Sequence, residues 1–157
     1  MDSNKIQKSP LPASSALHER YKPSHFLDCY TVEAQMQMPV REAALVVTDF
    51  PYWARFLLLI RRIVTTPSGL DNDGPEAHDR VGIFPVESET ANELIAGFDD
   101  KHLDFRVSVL THEGKVSLAT WVAPHNLGER VYLAAVMPFH IAIVRNALKR
   151  VQQRWSR

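Results

Sequence analysis

LDFRVSVLTHEGKVSLATWVA, residues 103–123, is the stretch that decides the fold. Leu103, Phe105, Val107 and Val109 alternate with Asp104, Arg106 and Ser108; beyond His112-Glu113-Gly114-Lys115, the residues Val116, Leu118, Thr120 and Val122 again share one side. Side chains of a strand point to opposite faces in turn, so a period of two marks a strand with one apolar face. Two such runs joined by a short glycine-containing link predict an antiparallel hairpin, Leu103 to Thr111 with Lys115 to Ala123.

The pattern extends outward from this hairpin. Arg80 to Glu87 and Asn92 to Phe98 predict two earlier strands, with Asp99-Asp100-Lys101 as the turn into Leu103. Further back, CYTVEAQMQM (Cys29 to Met38) alternates through Tyr30, Val32, Ala34, Met36 and Met38, and Pro39 closes it. VREAALVVT (40–48) predicts a short helix. A second helix, Tyr52 to Val64, places Trp53, Phe56, Leu57, Ile60 and Val64 on one face, with Asp49 as N-cap and Pro51 in the first turn. Residues 70–79 read as an acidic loop. One long helix follows the hairpin, from about Gly128 to Trp155, with Tyr132, Val136, Phe139, Ile143, Ala147 and Val151 at steps of three and four. Leu133, Ile141, Val144 and Leu148 widen that stripe, so its first half is expected to be buried on most sides. Pro138 predicts a kink or a fresh start near Met137. A half-polar sheet needs a cover for its apolar face, and this helix is long enough to supply it. The expected class is α+β: an antiparallel sheet wrapping a C-terminal helix, with two short helices after the first strand. Residues 1–27, rich in Ser, Pro, Lys and Asn, predict a flexible N-terminal segment ahead of a single domain, 28–157.

Composition narrows the function classes. The chain has 157 residues, 45% hydrophobic and 23% charged, as expected for one globular domain with a sizeable core. A lone cysteine, Cys29, excludes an internal disulfide and favours a reducing compartment. The first residues lack the apolar core of a signal peptide, and neither FLLLI (56–60) nor YLAAVMPFHIAIV (132–144) approaches the ~20 apolar residues of a membrane span. A cytoplasmic location is the expectation. Net charge is zero but segregated: residues 1–70 carry +2, 71–113 carry −8 and 114–157 carry +6. That distribution suits either acidic strands set against a basic helix end or a bipolar surface. The basic end lacks interleaved aromatics apart from Trp155, which argues against nucleic acid.

Few residues offer chemistry. Asp104 and Arg106 are two apart on a strand, hence on one face, and form a structural or interface pair. His140 lies in an apolar helical stretch, where burial favours the neutral imidazole, either as a core hydrogen-bonding group or as a base. His125-Asn126 precedes the last helix as a turn and cap or as the rim of a site. His102, His125 and His140 are too widely spaced to imply a metal site, and no metal or cofactor is expected.

Several separated motifs carry a resemblance: Val81-Gly82 with Phe84-Pro85-Val86; Asp99-Asp100 with His102-Leu103-Asp104-Phe105-Arg106; His125-Asn126 with Gly128; and Pro138-Phe139-His140. Over roughly residues 28–154 the chain resembles the bacterial family called domain of unknown function 2867. That family is similar to the START-like (SRPBCC) helix-grip superfamily. The resemblance implies a curved sheet gripping the last helix with a cavity between them, and no established activity. The leading expectation is a binding domain for a small hydrophobic or amphipathic ligand, with Arg106, His125, Tyr132 and His140 as candidate contacts. The second is an enzyme using the same cavity for proton transfer or hydrolysis, with His140 as base. The third is an interaction domain that forms a homodimer through the sheet face around Asp104, Arg106 and Trp121.

Overall fold

A computed structural model describes residues 5–34, 38–49, 79–81, 84–99 and 103–155. The expected helix Tyr52 to Val64, the acidic loop apart from Asp79, and His102 lie outside the described residues.

The fold is α+β. The described strands are β1 (Gln7–Lys8), β2 (Phe26–Glu33), β3 (Arg80–Val81), β4 (Phe84–Glu89), β5 (Glu93–Asp99), β6 (Leu103–His112) and β7 (Lys115–Pro124). They form one curved sheet in the order β1-β2-β7-β6-β5-β4-β3, antiparallel at every pairing. The β6–β7 hairpin anticipated from residues 103–123 pairs Leu103 with Pro124 through to His112 with Lys115. Its turn needs Glu113 and Gly114 at φ 47° and 74°, the two positive values of a tight hairpin link. Two helices are labelled: α1 (Val40–Val47) and α2 (Leu127–Trp155). Pro138 lies inside α2, which runs as one helix through it.

Alternation sorts the side chains onto two faces. The inner face carries Tyr30, Val32, Leu94, Ala96, Val109, Val116 and Leu118, packed with Val40, Ala43, Ala44 and Val47 of α1 and Val144, Ala147, Leu148, Val151 and Trp155 of α2. The α1 contacts recur at three- and four-residue steps, which place them on one side of a helix. Thr48 Oγ1 donates to the Ala44 carbonyl, 2.8 Å, at the end of α1. Arg150 of α2 reaches the same end and donates to the Val46 and Val47 carbonyls. The basic end of α2 thus caps the end of a neighbouring helix. The desolvation this entails pushes the Arg150 guanidinium below its usual range.

Two features differ from the sequence expectation. The first half of α2 is not buried on most sides: Leu127, Val131 and Phe139 are 76, 64 and 50% exposed, and Ala134, Ala135, Pro138 and Ala142 are exposed as well. A helix that is apolar all round gives no direction from its pattern, and here the sheet packs closely against its second half. Phe139 therefore does not belong to the core.

The second difference concerns residues 1–27. β2 begins at Phe26, inside that segment; Gln7–Lys8 form the edge strand β1, and Leu11 and Leu17 pack on the outer face of the sheet. Leu17, 0% exposed in a 3-10 turn at Ala16–Glu19, packs with Cys29, Ile95, Ala119, Trp121 and Ala123. Around it, Ser15 Oγ donates to Glu93 Oε2 (2.6 Å), the Ala16 amide donates to Glu93 Oε1 (2.9 Å), and Ser108 Oγ donates to Glu93 Oε2 (2.6 Å). Polar composition concealed this role because the buried polar groups satisfy one another.

Cys29 is 2% exposed beneath this cover, and burial raises its thiol above the usual range, offset in part by hydroxyl contacts from Ser9 and Thr31. The raised value means the neutral thiol is the form folding favours; stability is intact below the ordinary thiol range and falls as pH rises through it. Near neutral pH the folded protein should react with iodoacetamide on the order of a hundredfold more slowly than the chain in guanidinium chloride, as read by mass spectrometry. Equal rates would place the thiol at the surface.

Candidate functional site

The strand register arranges the inner face in rows. Tyr30, Leu118, Val109 and Leu94 form one row across β2, β7, β6 and β5, and every member is buried. One step along, the row is Asp28, Thr120, Val107, Ala96 and Val86; a further step brings Phe26, Val122 and Phe105. In these two rows Thr120, Val107, Val86, Phe26 and Phe105 are only half-buried. The sheet-facing line of α2 shows the same gradient: Leu133, Met137, His140 and Ile141 are half-buried, whereas Val144, Ala147, Leu148 and Val151 are buried. One end of the interface between sheet and helix is thus closed, and the other is partly open.

The partly open end is apolar and aromatic except for Thr120 and one polar pair. Phe84 meets Phe105 edge to face, centroids 5.7 Å apart. Phe26 meets the His140 ring in the same way, at 5.9 Å and 83°. Nε2 of His140 donates to Asp28 Oδ2 at 2.9 Å. The ring nitrogen that faces a carboxylate carries a proton. The Asp28 side chain is only 4% exposed, while that of His140 is 21% exposed. The second carboxylate oxygen, Oδ1, is buried and has no hydrogen-bond partner among the described residues. An ionised buried carboxylate normally satisfies both oxygens, so the vacant lone pairs mark a place for an incoming donor.

The candidates named from sequence do not come together. His140 faces the inner end just described. Arg106 is on the outer face, 6% exposed, and committed: Nη1 bonds Asp99 Oδ1 at 2.9 Å and the Phe105 carbonyl at 2.7 Å, while Nε lies 3.1 Å from Glu87 Oε1, off the line of a hydrogen bond. Asp104 and Arg106 share a face but do not pair; Asp104 Oδ1 instead meets His125 Nε2 at 3.1 Å. Arg106 reaches across β5 because Asp99 and Glu87 both lie beyond Gly97, which leaves room for its stem. His125 therefore belongs to the outer side as well, away from His140. Tyr132 is on α2, and its side chain lies outside the described side chains. The outer surface around Arg106 and Trp121, expected as a dimer face, is covered by the chain itself. Arg20 pairs with Glu87 and lies over the Trp121 ring, 5.7 Å from its centroid, and Trp121 Nε1 donates to His25 Nδ1 at 3.1 Å.

Asp28 was the residue that sequence reading passed over. The alternation Tyr30, Val32, Ala34 continues backward through Asp28 to Phe26, and an acid on an apolar period is the signal that identifies it. Starting the strand at Cys29 hid that position. Among the described residues no group of three or more His, Cys, Asp or Glu side chains is placed to hold a metal ion, and no helix is long and apolar enough to cross a membrane.

Comparison with curated proteins gives no match, and comparison with solved structures gives none. A family described as protein of unknown function (DUF2867) matches residues 20–147, which span the sheet from β2 to β7, α1 and the first two-thirds of α2, and the chain belongs to that family.

Proposed function

We propose that this is a small-molecule-binding domain and that the ligand lodges at the partly open end of the inner face, between the sheet and the first half of α2. The observation that carries this reading is Asp28: a buried carboxylate with one oxygen on His140 and the other unused among the described residues, beside half-buried Phe26, Phe105, Val107 and Met137. Apolar walls with a few convergent polar groups are the usual composition of such sites. The apolar walls supply affinity by burial, and the polar pair fixes orientation.

A neutral fluorescent apolar probe, N-phenyl-1-naphthylamine, tests it. Saturable binding at one site per chain is expected, with emission raised by the apolar surroundings. Val107→Trp adds bulk to the middle of the site and should weaken probe binding about tenfold or more while the far-ultraviolet circular dichroism stays unchanged. Absent or non-saturable binding, or binding untouched by Val107→Trp, would remove the proposal.

A further inference from the structure

We infer that the ligand of this site presents a hydrogen-bond donor, a hydroxyl or a protonated amine, at one end of an apolar body, and that a carboxylate in the same place is rejected. The inference rests on the binding reading above and adds its selectivity. It follows from the accounting at Asp28. Oδ2 is taken by the His140 ring and Oδ1 by nothing among the described residues, in a side chain that is only 4% exposed. A carboxylate oxygen only accepts, so its complement must donate. His140 cannot serve the ligand's head group in place of Asp28, because its Nε2 proton is already directed to the carboxylate. Among the described residues bordering the site, no lysine or arginine supplies a positive charge that would invite an anion. The residues bordering Asp28 on the inner face are Phe26, Tyr30 and Thr120. Arg130, ten residues before His140 and so about 15 Å away along the helix, is exposed and turned to the Ser24 carbonyl. An anionic head would place two carboxylates together in a poorly hydrated site with one imidazole between the pair of them, a costly arrangement. A donor completes the vacant lone pairs with a charge-assisted bond. Thr120, across the strand pair from Asp28, adds a hydroxyl of either polarity near the same spot.

The test is displacement of N-phenyl-1-naphthylamine by three compounds with one chain and different heads: dodecan-1-ol, dodecylamine and dodecanoate, each below its critical micelle concentration. The alcohol and the amine should displace the probe at least tenfold more effectively than dodecanoate. In Asp28→Asn, which keeps an acceptor for His140 but offers the ligand an amide of mixed polarity, that preference should fall to within about threefold. Equal displacement by all three in the unaltered protein, or stronger displacement by dodecanoate, overturns the inference while leaving the binding reading standing; it is the result expected if Oδ1 holds only an ordered water. Failure of the probe itself to bind overturns both. A preference that persists undiminished in folded Asp28→Asn, checked by its thermal unfolding, also overturns the assignment to Asp28.

Discussion

Replacing Gly97 by alanine lowers the stability of this protein by about 2–6 kcal/mol, and replacing it by valine leaves little folded protein. The reasons are local and independent. Gly97 has φ +137°, a region that residues with a Cβ rarely adopt, and holding one there costs on the order of 1–3 kcal/mol. A Cβ at this position would lie 2.4 Å from the Phe105 carbonyl oxygen and 3.0 Å from the Arg106 Cα. These are backbone atoms of β6, the strand Gly97 pairs with, and β6 is held on its other edge by β7 from Leu103 to His112. It cannot retreat without spoiling a second ladder, so overpacking adds a further ~1–3 kcal/mol. Against a total of ~5–15 kcal/mol for a domain, the sum is decisive. The measurement is urea unfolding followed by circular dichroism. A loss under 1 kcal/mol for Gly97→Ala would mean that the β5–β6 register is wrong.

Removing residues 1–20 has an effect of comparable size. The outer face then loses Leu17 and with it the cover over Ile95, Ala119 and Trp121, and Glu93 loses two of its three donors, Ser15 and the Ala16 amide. The shortened chain should unfold without a cooperative transition or aggregate through the bared apolar face. Leu17→Ala is the graded form of the same test. A fully buried leucine cut to alanine costs ~2–5 kcal/mol, which in a domain of this size lowers Tm by about 6–15 °C. A Tm unchanged within a degree in both variants would show that the segment contributes nothing to the fold.

The second of these outcomes touches what was legible in the sequence. Period-two alternation located the β6–β7 hairpin, because half-buried strands have no other way to arrange apolar residues, and turn signals located β5; the run read as one strand, Arg80 to Glu87, is instead two, β3 and β4, paired antiparallel with each other. The helices Val40–Val47 and Leu127–Trp155 were equally plain. The cover of the outer face was not. It uses one leucine among serines, prolines and charges, and its fastening depends on Glu93, more than seventy residues distant. No local pattern encodes a contact of that span. The same reason separates the candidate site residues. Alternation placed Asp104 and Arg106 on one face, but their partners, His125 for one and Asp99 with Glu87 for the other, come from different turns and strands. His140 stood out as a polar residue in an apolar helical stretch, but its carboxylate partner, Asp28, lay one position outside the strand as read.

The division of α2 into a buried second half and a largely exposed first half has a mechanical consequence. Val144, Ala147, Leu148, Val151 and Trp155 anchor the helix to the closed end of the sheet, so loosening them means unfolding the domain. Residues 127–142 share little of that anchorage; among the described side chains, the His140–Asp28 bond and the Arg130–Ser24 contact fasten them to the sheet and to the segment before it. Pro138 also lacks the amide that would otherwise tie it to the preceding turn. The two halves are therefore different cooperative units of one helix. Separating the near half from the sheet would break few buried contacts, whereas separating the far half would open the core.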